Sequence, residues 1–357
     1  MGSPQLSVIV VNYRHYDLLK ACLRSVYASR LRDYEVIVVD HATNAQQVAD
    51  LKREFPDILI EGINENPGYA SGNNMALELS TGEFVFILNN DVTVDPTVSN
   101  DVLREFRAHQ EIATLQPMIV LQQDPERMNN CGLDVQYLGY AWDRCFKQLR
   151  SSCASAVKLN AFSGAAVVLR KSAVDTVGRF DENYFLYHED VDLSLRLRNA
   201  GFVIKYTPTL LVYHHYSFKS EPWRYFYLER NRWFTVIKNY PWSLIILSIP
   251  AALFMELGVF TYSVFKGWSK EKVRAWGAVI RALPRLVQLR HRNGKTHITT
   301  KEFVKGMKGG VVFAEVNSPL LRYVANPLLG IYWLLIRIIV GSSAIFFIKN
   351  ERTAKIF

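Results

Sequence analysis

The chain has 357 residues, 49% of them hydrophobic, and a net charge of +9. That composition excludes global disorder and leaves room for one large domain or two ordinary ones. The positive balance asks for an anionic partner, and the first half has no basic–aromatic stripe of the nucleic-acid kind, so a phosphorylated ligand or an anionic membrane surface is expected and no nucleic acid.

Leu6–Val11 is an apolar run broken only by Ser7, too short for a secretory signal, and reads as a buried strand leading into Asn12-Tyr13-Arg14. Leu19, Leu23 and Val26 then mark a helix, and Glu35–Asp40 is a second buried strand ending in an acid. Val48, Leu51 and Phe55 mark a second helix, stopped by Pro56, and Ile58–Ile60 is a short third strand. Strand and helix alternate, and the strands are near-continuously apolar. The pattern predicts a parallel sheet covered by helices.

Asn66–Asn74 is a loop rich in Gly and Asn that feeds a helix through Met75, Ala76 and Leu79. It fits neither a P-loop nor G-x-G-x-x-G. Gly68 and Gly72 suit close approach to a ligand at a helix N-terminus, and a plain connecting loop explains them as well. The strand Phe84–Leu88 runs into Asn89-Asn90-Asp91. Open α/β sheets bind ligands at such carboxyl ends, and oxygen ligands there suit Mg or Mn. Taken alone, a polar turn accounts for the same residues. A further helix is expected through Val98, Val102 and Phe106.

Residues 110–160 read as irregular and carry Cys131, Cys145 and Cys153. With Cys22 these cysteines show no C-x-x-C spacing, so neither zinc site nor disulfide framework is indicated, and a reducing compartment is expected. Ala161–Leu169 reads as a strand entered through small residues, with Gly164 explained equally by a ligand or by packing. Tyr184–Tyr187 precede His188-Glu189-Asp190-Val191-Asp192 at the start of a helix that ends at Gly201. The helix dipole is a sufficient reason for the acids, and an aromatic wall would raise the pKa of one toward that of a useful base. Val203–Tyr206 and Leu210–Tyr213 read as short strands, the second delivering His214 and His215.

In order, Val10–Tyr13, Val38–Asp40, Asn66–Tyr69 with Gly72–Asn74, Leu88–Asp91, Phe162–Gly164, Phe185–Leu193 and Val212–His214 resemble the motifs of the family 2 glycosyltransferases of the GT-A fold. The resemblance runs from about residue 5 to 235, closing with Arg230-Asn231. It is strongest to rhamnosyltransferase-like enzymes of bacterial surface-polysaccharide assembly. It implies an α/β, Rossmann-like, nucleotide-sugar-binding mixed sheet flanked by helices. It also implies inverting transfer from a nucleotide diphosphate sugar, dTDP- or UDP-linked, to a lipid-linked or surface glycan.

By the same resemblance Asn12 and Tyr13 line the nucleotide pocket and Asp40 holds base or ribose. Gly68, Gly72, Asn73, Asn89 and Asn90 approach the donor. Asp91 stands at the last position of the family's Asp-x-Asp motif and holds the metal on the diphosphate, with His214 as a further ligand. Asp190 is the general base, and Gly164, Glu189 and Arg230 support it or the acceptor. Two departures stand out: Asn89 replaces the first acid of the motif, and His41-Ala42-Thr43 replaces Asn-x-Ser, leaving the nucleobase open. Two other readings of the chain are a sugar-phosphate nucleotidyltransferase and a non-catalytic membrane-bound assembly subunit. The first normally carries a Gly-rich signature with Lys or Arg after the first strand, which Asn12-Tyr13 lacks.

From residue 236 the composition changes. Ser243–Phe265 and Leu328–Ile348 are apolar but for Glu256 and Arg337, each near the ~20 residues that span a bilayer. Between them Lys266–Lys308 is basic, which opposes a span that would carry this stretch outside. The expectation is a catalytic domain over 1–235 and a helical membrane-associating region over 236–357 lying on the cytoplasmic face of the cell membrane. A soluble helical domain is the alternative.

Overall fold

The structure, a computed structural model, describes residues 3–217, 221–292, 296–312 and 318–341. The chain forms two compact units: residues up to Leu133 with Asp143–Ser220, and Asp134–Trp142 with the residues from Glu221 onward. The division thus falls after Ser220, where the sequence suggested 235, and the second unit takes a segment from the middle of the chain.

The first unit opens with β1 (Leu6–Tyr13), α1 (Tyr16–Ala28), β2 (Tyr34–His41), α2 (Ala45–Glu54), β3 (Leu59–Ile63), α3 (Tyr69–Leu79) and β4 (Phe84–Asn89). These strands are parallel in the order β3-β2-β1-β4. Side chains alternate across a strand, so Val8 and Val10 join Leu19, Leu23 and Val26 of α1 on one face. Ile9 packs on the other face with Ala70, Ala76 and Leu77 of α3. The Asn44 side chain caps α2 by accepting from the Gln47 N–H.

The chain continues through β5 (Val92–Val94), α4 (Leu103–Ala108), β6 (Ile112–Leu121) and β7 (Asp124–Asn130). A hairpin of β8 (Leu133–Val135) and β9 (Ala141–Asp143) follows, then β10 (Ala166–Arg170), α5 (Lys171–Val177), α6 (Glu189–Asn199) and β11 (Val203–His214). The nine-stranded sheet has the order β3-β2-β1-β4-β10-β6-β11-β5, with β7 on β6. Because β10 runs antiparallel to both β4 and β6, the sheet is mixed.

The region expected to be irregular therefore holds β6, a ten-residue strand buried along its whole length. Gln116 and Pro117 hide it, since a proline argues against a central strand. The partner strand absorbs the proline. Thr207 pairs with Pro117 and Leu211 with Met118, so the register shift of β11 lies opposite a residue with no N–H to give. The two short strands expected around it are one strand, and the strand expected from Ala161 begins only at Ala166. The helix expected from Val98 is a 3-10 turn at Asn100–Val102 followed by α4.

The second unit comprises α7 (Pro222–Asn239), α8 (Trp242–Phe265), α9 (Ser269–Arg292), the one-turn α10 (Thr300–Phe303) and α11 (Asn326–Gly341). The segment Asp134–Trp142 is set among them. Tyr137 stacks on Trp333 at 4.9 Å, Gln136 Nε2 donates to the Gly309 carbonyl at 3.0 Å, and the Tyr240 hydroxyl donates to the Gln136 carbonyl at 3.0 Å.

A buried ionic cluster joins three of the helices. Arg232 of α7 meets Glu229 at 3.0 Å and also Glu256 of α8. Lys272 of α9 meets Glu229, and meets Glu256 at 2.8 Å. The Trp276 indole N–H donates to Glu256 at 2.5 Å. Both signs are present and hydrogen-bonded, as burial of charge requires. Two helical stretches, Trp242–Phe265 and Leu321–Gly341, are long and apolar enough to cross a membrane by length and composition. The end of the second expected apolar segment and the basic tail lie outside the described residues.

Candidate active site

The parallel strands β1, β2 and β4 end side by side and deliver Asn12, Asp40 and Asn89 to one edge. Asn12 Nδ2 donates to Asp40 Oδ1 at 2.7 Å, and Asn90 Nδ2 donates to Asn12 Oδ1 at 2.7 Å. The Tyr16 hydroxyl donates to Asp40 Oδ2 at 2.6 Å and accepts from the Asn44 N–H at 2.9 Å. Burial, then the bond to Asp40, pushes the Tyr16 phenol up to about 12. Asp40 is fully buried with both oxygens engaged, so it fastens the ends of β1, β2 and α1. Tyr13 is exposed, with the Arg14 guanidinium over its ring at 5.0 Å.

The loop glycines answer to packing inside the protein. At Gly68, with φ +95°, a Cβ would stand 2.4 Å from the Phe185 carbonyl oxygen, and at Gly72 one would stand 2.7 Å from His41 Nε2. The next residue, Tyr69, donates its N–H to that same Phe185 carbonyl at 2.7 Å. His41, the departure from the family pattern, sits under α3 with Nδ1 3.1 Å from Asn66 Oδ1. Burial holds its pKa below the usual histidine range, which keeps it neutral. Asn73 is buried as well, its Nδ2 donating to the Tyr69 carbonyl at 2.9 Å while Oδ1 has no hydrogen-bond partner among the described residues.

Asp190 is held from two sides. The Gly164 N–H donates to Oδ2 at 2.9 Å, and the Val191 N–H donates to Oδ1 at 2.8 Å from the first turn of α6. The Tyr69 hydroxyl donates to the Gly164 carbonyl at 2.6 Å, so one residue, Gly164, links α3 to the acid. Burial raises the pKa of Asp190, and the two N–H bonds restrain the rise. Glu189 is buried, and its pKa stands well above the carboxylate range, through burial first and the charge of Asp190 second. Glu189 Oε2 has no hydrogen-bond partner among the described residues. Asp192 is structural: it pairs with Arg196 at 2.9 Å and accepts from the Tyr184 hydroxyl at 3.1 Å.

The approach to this acid pair is strained. Phe185, Tyr187 and His188 have φ of 63°, 69° and 68°, the left-handed region that non-glycine residues avoid. Such strain persists where surrounding structure enforces it, and it clusters at functional sites.

Asp91 and His214 meet where β5 pairs antiparallel with β11. Asp91 Oδ1 lies 3.2 Å from His214 Nε2, yet it is buried without hydrogen-bond geometry to any partner among the described residues. His214 Nδ1 stands 2.8 Å from Asn129 Oδ1, which also accepts from Asn130 Nδ2 at 3.0 Å. The proton therefore belongs on Nδ1, leaving a lone pair on Nε2 beside the orphaned carboxylate oxygen. A carboxylate oxygen and an imidazole nitrogen 3.2 Å apart are donors that fit a divalent cation.

Arg230 lies in the second unit. Its guanidinium covers the rings of Phe226, Tyr227 and Phe234 at 5.0–5.3 Å, and its Nε donates to Asn231 Oδ1 at 2.8 Å. Sequence reasoning gave no role to Tyr16, Tyr69 or Asn129. Each acts through a contact distant in sequence, and no local pattern announces it.

The model of the "Glycosyltransferase like family 2" matches residues 4–235. The chain belongs to this family. As a family 2 glycosyltransferase it has curated relatives. It is 26% identical over 237 residues to the N-acetylglucosaminyl-diphospho-decaprenol L-rhamnosyltransferase of Mycobacterium tuberculosis, covering 59% of this chain and 76% of the relative. It is 25% identical over 240 residues to the O-antigen biosynthesis protein RfbC of Myxococcus xanthus, 60% of this chain and 18% of that protein.

Among solved structures it matches GalNAc-T7, determined with UDP, GalNAc and Mn2+, with a TM-score of 0.57 at 13% identity over 70% of this chain. It matches Staphylococcus aureus TarS with a TM-score of 0.52 at 18% identity over 94% of this chain. The match spans 51% and 55% of those two solved chains. These likenesses establish the GT-A fold, and the family establishes a glycosyltransferase.

Proposed function

We propose that the protein is an inverting glycosyltransferase that moves a sugar, rhamnose first among candidates, from a dTDP- or UDP-linked donor to a lipid-linked glycan. The observation that carries this reading is the placement of Asp190. Its carboxylate is fixed by two peptide N–H groups, with a raised pKa, on the same unit as the Asp91–His214 pair. The name of the mycobacterial relative supports both the sugar and the diphospho-lipid acceptor.

Ionised Asp190 accepts the proton of the acceptor hydroxyl as that oxygen attacks the anomeric carbon. One carboxylate suffices for a single displacement. Burial and the charge of Asp190 raise the pKa of Glu189, which disfavours a second negative charge beside the base. Asp91 and His214 would hold Mg or Mn, which when bound supplies positive charge to the departing diphosphate. Asn129 fixes the His214 ring, and the Asn90–Asn12–Asp40 chain fixes the strand ends beneath the nucleotide.

The membrane is the second part of the reading. Ile246, Ile249, Leu253 and Leu257 expose an apolar stripe on α8, and Leu328, Ile331, Leu335 and Ile338 one on α11. Glu256 is held by Arg232 and Lys272, so α8 is tied to α7 and α9 at its middle rather than surrounded by lipid. Together with the basic residues of α9 these stripes support a monotopic protein on the cytoplasmic face.

The test is a panel of nucleotide sugars offered with a polyprenyl-diphospho-GlcNAc acceptor. Transfer from dTDP-rhamnose with inverted anomeric configuration is expected. A product of retained configuration would overturn the mechanism, and transfer from a different donor alone would overturn the sugar.

A further inference from the structure

Cys131, Cys145 and Cys153 come together in the first unit although 14 and 8 positions separate them in sequence. Cys131 follows β7, Cys145 follows β9, and Cys153 closes a 3-10 turn that starts at Arg150. The backbone joins the first two segments. The Cys131 N–H donates to the Arg144 carbonyl at 3.2 Å, the Arg144 N–H to the Gly132 carbonyl at 3.0 Å, and the Met128 N–H to the Gln148 carbonyl at 2.9 Å. Cys145 has φ +65°, a left-handed conformation that a side chain disfavours, in a turn closed by the Gln148 N–H on its carbonyl at 2.9 Å. All three sulfurs lie within 4.8 Å of one another.

Buried thiols often serve only as small apolar residues. Here three of them converge from separate segments, one on a strained backbone, and Cys131 and Cys153 are buried while Cys145 is only half-buried, which leaves an entry path. The Arg144 side chain lies against Cys145. Arg144 also supplies positive charge beside a site that would become anionic.

We propose that Cys131, Cys145 and Cys153 form a tri-thiolate site for one thiophilic d10 cation, Zn2+ or Cu+. An ion about 2.3 Å from each sulfur needs the sulfurs about 3.8–4.0 Å apart, a closure of under about 1 Å that χ1 rotations supply. Each thiol loses its proton to solvent as its bond to the ion forms. Three thiolates complete a trigonal Cu+ site, whereas Zn2+ takes a water as fourth ligand. The softness of the donors separates this site from the oxygen and imidazole pair at Asp91 and His214. The ion would staple the segment that carries Asn129, two residues before Cys131, and so steady the partner of His214.

The test uses the full chain, reduced, stripped with a chelator and titrated without oxygen. Co2+ serves as the spectroscopic probe for Zn2+, and Cu+ is offered against a chromogenic Cu+ chelator. A sulfur-to-metal charge-transfer band saturating at one Co2+ per chain and abolished by Zn2+, or retention of one Cu+ against the chelator, is expected, and the arm that responds names the ion. Cys145→Ser should weaken binding at least about 10-fold, while Cys22→Ala, outside the cluster, should leave it unchanged. Absence of both responses in the wild-type chain, a measurement independent of how the variants fold, would overturn the site. So would wild-type affinity in Cys145→Ser.

Discussion

The Gly164 peptide N–H donates to Asp190 Oδ2 at 2.9 Å, so the proposed base is aimed by main chain rather than by another side chain. Asp190→Asn keeps one oxygen to accept that bond, removes the basicity, and turns an NH2 towards the Val191 N–H. Donor affinity should stay nearly constant while the single-turnover rate falls about 10²- to 10⁴-fold. Donor titration and rapid-quench kinetics on the same preparation separate the two effects. If Glu189→Gln shows the large rate loss instead, the other carboxylate is the base.

The raised pKa of Asp190 sets the acid limb of the pH profile. As the proposed base, Asp190 acts in its ionised form, so kcat/KM should fall on acidification with a midpoint above the usual carboxylate range. Glu189 makes a separate prediction about stability. Its folded pKa lies above its unfolded one, so the stability it contributes is complete below the unfolded pKa and is lost as pH rises through the folded pKa. Glu189→Gln should therefore raise Tm by a few degrees at pH 8 and leave it unchanged near pH 4. Thermal unfolding across that range reads it directly, and an equal shift at both ends would refute the titration.

The metal reading rests on a pair and its support. Asp91→Ala should abolish transfer and weaken Mn2+ binding, measured by the loss of the free-ion resonance signal. Asn129→Ala leaves both ligands in place but frees the His214 ring, and should weaken Mn2+ about 10- to 100-fold. Undiminished transfer by the wild-type protein in EDTA would remove the metal from the account.

Much of the sheet was readable because β1, β2 and β4 are near-continuous apolar runs leading into Asn or Asp, and such strands carry both burial and position in one pattern. The same logic failed for β6, whose Gln116 and Pro117 break the pattern while a bulge in β11 repairs the ladder. Asp91, Asp190 and His214 were legible as strand-end or helix-start residues, and the structure brings Asp91 and His214 to 3.2 Å. The loop glycines were legible as necessary but not as to why. Gly68 and Gly72 yield to Phe185 and His41, contacts set by tertiary packing. The cysteine cluster was invisible because its members come from three segments with no shared spacing.

Membrane attachment through exposed stripes predicts a specific vulnerability. Leu253→Glu with Leu257→Glu places two charges on the α8 face and should reduce flotation with anionic vesicles, while 1 M salt should not release the wild-type protein. A cysteine introduced at Lys270, an exposed position at the start of α9, should resist an impermeant reagent applied to the outside of whole cells. Labelling there would show that α8 crosses the bilayer.

The hairpin segment Asp134–Trp142 has a consequence for biosynthesis. Gln136 bonds to Gly309, 173 residues further along, and the Tyr137 hydroxyl to the Leu329 carbonyl, 192 residues further along. At about 5–20 residues per second, a ribosome needs on the order of 10 to 40 seconds to supply those partners. During that interval Tyr137, Leu138 and Tyr140, all buried in the finished protein, have left the tunnel with nothing to pack against. The nascent chain thus carries a sticky aromatic segment in its middle until its last helices emerge. A holdase, or the membrane itself, is the natural companion for that delay, and a message truncated at residue 235 would make the delay permanent.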